Sequence, residues 1–308
     1  MDTDRRHPRG ARPAGRAAAA CAALVLLAPA MARSQTASQA QAAAAPSPFG
    51  EALLAGTMNT PGLLARVELR WRRSTASSSS PVLSDAHVAA GVSPEIAPAW
   101  LRAGGWVEYA PLSIFSVRAG IDPSYYFGTY GAIMSLQSYD EPFDWDTIQS
   151  RKAEAHPAAA LRLYVSPTFQ IRLGPIAAMS SAVFERWYAD IPGPLFYEPY
   201  RDTLVSVSGG TAAYVSTVVV YECPTAKGKL SAGVLHDYLD VYAAHQNRVQ
   251  RLGPIVMYEA HGRLMGLPRP TFLAYVGYYV DDPSKAGQLY YLFAVTVPIP
   301  RPGPHDLP

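Results

Sequence analysis

From Leu63 to Arg73 the chain reads LLARVELRWRR, with Leu63, Ala65, Val67, Leu69 and Trp71 on one parity and Arg66, Glu68, Arg70 and Arg72 on the other. A β-strand turns alternate side chains to opposite faces, so one face here is apolar and the other is a ladder of charge. The pattern recurs. Phe115, Val117, Ala119, Ile121, Tyr125 and Phe127 separate from Ser116, Arg118, Gly120, Asp122 and Ser124; Ala159, Leu161, Leu163 and Val165 separate from Arg162, Tyr164 and Ser166. Near the end, Leu289, Tyr291, Phe293, Val295, Val297 and Ile299 separate from Gln288, Tyr290 and Thr296. In each case the charged residues share the face that should look inward.

Read along its length, the chain predicts about ten strands, with twelve as the next even count: 63–73, 100–110, 114–127, 158–166, 169–188, 203–222, 230–242, 249–261, 271–280 and 289–299. Residues 33–62, rich in Ala, Gln, Ser and Pro, read as a tail of low order with a short helix at Phe49 to Leu54. Tight turns are expected at Pro111-Leu112-Ser113, Pro167-Thr168 and in CPTAKGK, which holds Cys223. Long connections are expected at about 74–99 and 128–154. Residues 230–242 stay ambiguous, since either parity turns a His or an Asp outward. Aromatic girdles are expected from Tyr125, Tyr126, Phe127, Phe184, Trp187, Tyr188, Tyr290 and Tyr291 at strand ends.

The N-terminus adds a destination. Arg5, Arg6, Arg9, Arg12 and Arg16 precede an apolar run to Ala32, and Ala30-Met31-Ala32 fits a small-x-small cleavage site, so residues 1–32 read as a cleaved export signal. Removing Met1 to Ala32 takes away five Arg and two Asp, so the formal net charge falls from +2 to −1. A nucleic-acid partner thereby loses its compositional support. Cys223 remains as the single cysteine after Ala32, which excludes an intramolecular disulfide. Export, apolar strand faces and the lack of a long apolar helical run after the signal together point to membrane-crossing strands.

Alternation, loop asymmetry and export signal, over roughly Leu63 to Ile299, resemble bacterial outer-membrane β-barrel proteins as a class. The resemblance implies an all-β, antiparallel up-and-down transmembrane barrel over residues 63–300 in the outer membrane of a Gram-negative bacterium, with lipid and the assembly machinery as partners. The ending RPGPHDLP departs from the aromatic residue that usually closes such a chain; residues 301–308 read as a Pro-rich tail.

Within such a barrel the lumen would hold Arg66, Arg70, Arg72, Arg102, Arg118, Arg162, Arg172 and Arg251 against Glu68, Glu108, Asp122 and Glu259. Arg in a confined space binds carboxylates through its planar fork, so these residues read either as an ion-paired plug or, through the Arg excess, as a narrow anion path. The loop SYDEPFDWD offers Asp140, Glu141, Asp144, Trp145 and Asp146 as candidates for binding a partner or small extracellular ligand. Its spacing matches no calcium loop, and no metal or cofactor is expected. His236, Asp237, Asp240, His245 and His261 are the nearest catalytic types. They match no pattern of outer-membrane proteases, phospholipases or lipid A deacylases, so no enzyme is expected. One pentapeptide occurs twice, Arg172-Leu173-Gly174-Pro175-Ile176 and Arg251-Leu252-Gly253-Pro254-Ile255, with Gly read as relieving crowding beside large lumen side chains.

Overall fold

The computed structural model describes residues 50–75, 80, 82–244 and 247–299. In chain order its strands are β1 (Gly50–Met58), β2 (Gly62–Ser74), β3 (His87–Ala97), β4 (Trp100–Leu112), β5 (Phe115–Tyr126), β6 (Ser135–Leu136), β7 (Ala158–Leu173), β8 (Ile176–Ala189), β9 (Leu195–Glu198), β10 (Thr203–Ser206), β11 (Ser208–Thr225), β12 (Gly228–Val241), β13 (Val249–Ala260), β14 (Arg263–Leu264), β15 (Leu267–Pro268), β16 (Thr271–Asp281) and β17 (Leu289–Ile299). Twelve of them close an antiparallel barrel, β1-β2-β3-β4-β5-β7-β8-β11-β12-β13-β16-β17, and β1 pairs with β17 from Gly50↔Ile299 to Met58↔Tyr291. A closed ring leaves no strand edge unpaired, which is what a hydrocarbon surround demands of a sheet.

The alternation sorts as its chemistry requires. Leu54, Leu63, Val67, Val92, Val107, Ile121, Val165, Val219, Val234, Val256 and Phe293 are exposed on the outer wall, while Glu51, Arg66, Glu68, Glu95, Arg102, Glu108, Asp122, Arg162, Glu185, Asp237 and Arg251 are buried inside. An apolar outside around a polar interior is the arrangement of a barrel solvated by lipid.

Two barrel strands correct the sequence-based expectation. β1 lies in the stretch read as tail and helix, so the barrel begins at Gly50, not Leu63. Its residues GEALLAGTM have the composition of a helix; what makes them a strand is the pair of neighbours, β17 and β2. β3, HVAAGVSPEIA, lies in the stretch read as a long loop. Pro94 masks a clean alternation there, since Val88, Val92 and Ile96 face out while His87, Ala89, Glu95 and Ala97 face in. The two additions cancel in the up-and-down count, so only β2 reverses its direction.

Turn positions shift as well. Pro167-Thr168 lies inside β7, and the chain reverses one turn later at Gly174-Pro175, where Gly174 has φ +59°. The first copy of the repeated pentapeptide is therefore a hairpin tip and the second lies within β13. Cys223 lies at the end of β11, exposed on the outer wall beside the turn proper at 226–227. The expected strand 203–222 is two elements, β10 and β11.

Both Gly50 and Ile299 lie at one end with the connections 75–86, 113–114, 174–175, 226–227 and 261–270; the other end carries 59–61, 98–99, 127–157, 190–207, 242–248 and 282–288. At this second end the two long connections fold into a lid. β6, β9 and β10 make a three-stranded sheet, beside a single-turn-and-a-half helix α1 (Trp145–Ser150) capped by the Asp144 carboxylate. Met134, Leu136, Phe143, Ile148, Leu195, Tyr197 and Leu204 form its own apolar core. The expected export signal, the tail up to residue 49 and residues 301–308 lie outside the described residues.

Candidate functional site

The site is the lumen, and its centre is supplied by a loop. The hairpin of β9 and β10 dips into the barrel mouth and places Phe196, Glu198, Tyr200 and Arg201, all buried, between the walls. The Tyr200 ring stands edge-on to Trp100 at 5.8 Å and is faced by three guanidinium groups, Arg102 at 4.4 Å, Arg201 at 4.9 Å and Arg162 at 5.0 Å. Aromatic faces attract such cations, the more so where water is excluded. Each cation also has carboxylates. Arg102 donates to Glu95 (3.3 Å) and Ser124 (3.0 Å) and lies 3.8 Å from Glu198; Arg162 donates to Asp122 and reaches Glu185 at 3.4 Å; Arg201 pairs with the same Glu185. Tyr126 and Trp187 complete the shell, donating to Glu198 at 2.7 Å and Glu185 at 2.9 Å.

The hairpin is also latched at its far side. Asp202 accepts from Thr60 (2.7 Å) and Tyr197 (2.8 Å) and pairs with Lys285, which sits in the 282–288 connection. Burial pushes the Asp202 carboxyl up, but Lys285 and the two hydroxyl donors outweigh it and hold it below its usual value. Glu198 goes the other way: burial raises its carboxyl despite Arg102, Tyr126 and the Arg201 amide.

Toward the turn end the networks belong to the walls. Arg118 lies over Trp106 at 3.6 Å, forks onto Glu68 at 3.1 and 3.2 Å and reaches Glu108 at 3.2 Å, which also meets His87. Nearer the lid, across the barrel, Asp237 accepts from Tyr214 and Ser216 and lies 3.7 Å from Arg251, whose guanidinium covers Tyr290 at 4.3 Å. Glu222 gathers Arg172 and Lys229, and Lys229 lies 3.5 Å from Glu259. Enclosed spaces beside these groups are small. One of about 10 Å³ lies among Arg201, Tyr214, Asp237 and Arg251, and one of about 40 Å³ among Arg70, Arg72, Asp85, His87, Glu108 and Gln170.

All the expected lumen residues thus face the interior, with Arg70 in the small space near the turn end. The expected Arg excess does not survive, because Glu51 and Glu95 come from the strands the pattern missed, Glu185, Glu222 and Asp237 from strands whose inward acids went uncounted, and Glu198 from the loop. The girdle expectation divides: Tyr125 and Phe127 are exposed on the outside, whereas Tyr126, Trp187 and Tyr290 are buried in the lumen against arginines. Loop parity carried no signal for Tyr200 or Arg201.

The acidic loop is partly accounted for by its own folding. Glu141 accepts from the Gln137 and Ser138 amides and pairs with Arg151 at 3.0 Å, and Asp144 caps α1; Asp140 and Asp146 stay exposed and Trp145 is half-buried. Among the described residues no group of three His, Cys, Asp or Glu could hold a metal ion. The nearest catalytic types separate: Asp237 points in, His236 and Asp240 point out, His261 sits at the turn end, and His245 lies outside the described residues.

No family model and no curated protein matches the chain. Solved structures do share its architecture. A NanC porin is similar over 82% of this chain and all of its own (8% identity, TM-score 0.39); the β domain of the Bordetella autotransporter BrkA over 81% and 98% (10% identity, TM-score 0.43); and LpxR from Salmonella typhimurium over 80% and 99% (6% identity, TM-score 0.39). A closed antiparallel sheet with an apolar wall and a polar interior is the architecture of bacterial outer-membrane β-barrel proteins. The expectation that the chain is no enzyme is corrected at this point. An outer-membrane deacylase, LpxR, is among the barrels of this architecture, which therefore does not exclude catalysis.

Proposed function

We propose that the protein is a gated outer-membrane barrel, held closed by the 190–207 loop and passing small polar solutes when that loop withdraws. Its turn end faces the periplasm and its lid the exterior, following the rule that outer-membrane barrels keep long connections outside. The observation that carries the proposal is the position of Tyr200 and Arg201. They belong to a loop, yet they lie inside the barrel, and with Asp202 they join groups on opposite sides of the ring: Arg201 pairs with Glu185 on β8, whereas Asp202 accepts from Thr60 in the turn between β1 and β2. Other ion pairs in the lumen, such as Arg118 with Glu68 and Arg251 with Asp237, are made between strands and line the passage. With acids and bases both present along it, the passage has no reason to prefer anions.

The test is planar-bilayer conductance of the purified protein and of a variant in which residues 194–206 are replaced by a short Gly-Ser link. The wild type should be silent at low voltage, and the variant should show stable steps with similar cation and anion permeability in a salt gradient. A variant that folds, as judged by its heat-modifiable migration, yet stays silent would reject the gate.

A further inference from the structure

Away from the charged residues near its lid rim, the outer wall carries one polar row. Ser180 on β8, Thr217 on β11 and His236 on β12 are direct cross-strand partners (Thr217↔Ser180 and Thr217↔His236), and all three point outward. The Ser180 and Thr217 hydroxyls lie 2.9 Å apart, and the His236 Nε2 lies 2.8 Å from the Gln250 amide on β13. The result is a polar row running across four adjacent strands. Apolar side chains adjoin it: Val219 and Val234 lie one pleat toward the turn end on β11 and β12, Leu252 stands opposite His236, and Tyr278 is the next outward residue on β16. This is the part of the chain whose parity could not be read from sequence, because Asp237 and His236 compete for the interior and Asp237 takes it.

Hydroxyls, an imidazole and a carboxamide on a wall facing hydrocarbon are costly, since acyl chains offer neither donor nor acceptor. Their mutual bonds satisfy part of that capacity: Gln250 has a second amide proton and a carbonyl, and each hydroxyl can both give and accept. We propose that this row is the centre of a lateral interface with a second copy of this chain, the two rows facing each other about a two-fold axis normal to the membrane. Charge decides between that occupant and an anionic lipid headgroup. Toward the lid the same wall carries Arg186 on β8, Asp240 on β12 and the Asp281–Arg248 pair (2.8 Å), a mixed set of charges whose two carboxylates would repel a phosphate. A second copy meets them with its own Arg248, because a two-fold contact offers every group of the patch to the same patch. The surface is self-complementary in donors and in charge, as a lipid phosphate is not.

The experiment is site-directed cross-linking of full-length protein in native outer membranes, in a Cys223→Ser background. Thr217→Cys, near the proposed axis, should form a disulfide-linked dimer on mild oxidation. Val107→Cys, equally outward but on β4 across the barrel, should not. Adding His236→Leu and Gln250→Leu, which leave the wall apolar, should weaken association roughly tenfold, equivalent to about 1.4 kcal/mol. Light scattering of the unmodified protein in mild detergent gives a reading that does not depend on any variant folding: a two-chain particle supports the interface. Monomers at every concentration, with Thr217→Cys cross-linking no better than Val107→Cys, would overturn it.

Discussion

Single residues in this barrel are governed by which side of one sheet they occupy. Val107 stands on the outer wall at 60% exposure, midway between the turn at 113–114 and the lid end of β4, whereas Ser116 lines the small space beside Gln170 inside. Val107→Arg should therefore destabilise the barrel by ~2–4 kcal/mol, because the guanidinium is forced into hydrocarbon near the midplane, and Ser116→Arg should cost clearly less. Denaturant titration in lipid vesicles checks this, and equal costs would reverse the assignment of faces. This face rule was legible in the sequence wherever apolar and charged residues alternated without interruption, as in Leu63–Trp71. It failed where outward positions held Ala or Pro, as at Ala90 and Pro94, or inward positions held Leu and Ala, as at Leu53 and Ala55, since the two faces then differ too little in polarity to be told apart.

Among the elements, the hairpin of β9 and β10 is the one whose stability is conditional. Its latch depends on Asp202 staying ionised against Lys285, and its folded carboxyl lies below the unfolded value. Such a group contributes in full above the unfolded pKa, about 4, and its contribution is lost as pH falls through the lower folded value. Hydrogen exchange of the Leu195–Ser206 amides should consequently be slow and unchanging from neutral pH down to about 4, then accelerate on further acidification once the intrinsic pH dependence of exchange is removed. Asp202→Asn should exchange fast throughout; if it matches the wild type at neutral pH, the latch holds nothing. No sequence period could have revealed this element. Strand alternation tells which wall residues look inward, but a loop that enters the lumen does so through contacts made by its tip, and Pro199-Tyr200-Arg201 reads as an ordinary surface turn.

At the scale of the molecule, the proposed orientation assigns every connection to the periplasm or the exterior. A cysteine at Ala226, in the turn between β11 and β12, should resist a membrane-impermeant maleimide in intact cells lacking Cys223, while one at Ser138 in the lid should react. The opposite result, with both reactive after lysis, would invert the barrel and move the gate to the periplasm. The general architecture was legible from alternation and loop lengths even though β1 and β3 were not, because adding two strands leaves every later strand pointing the same way. The pairing of Gly50 with Ile299 has a further consequence. A chain whose first and last barrel strands are hydrogen-bonded neighbours is topologically a circle that happens to be cut on the side of the turns. Joining those residues by a short peptide and cutting instead within 242–248 would preserve every strand neighbour while changing the order in which they emerge from synthesis, so the finished ring is indifferent to where its polypeptide begins and only the route to closure remembers it.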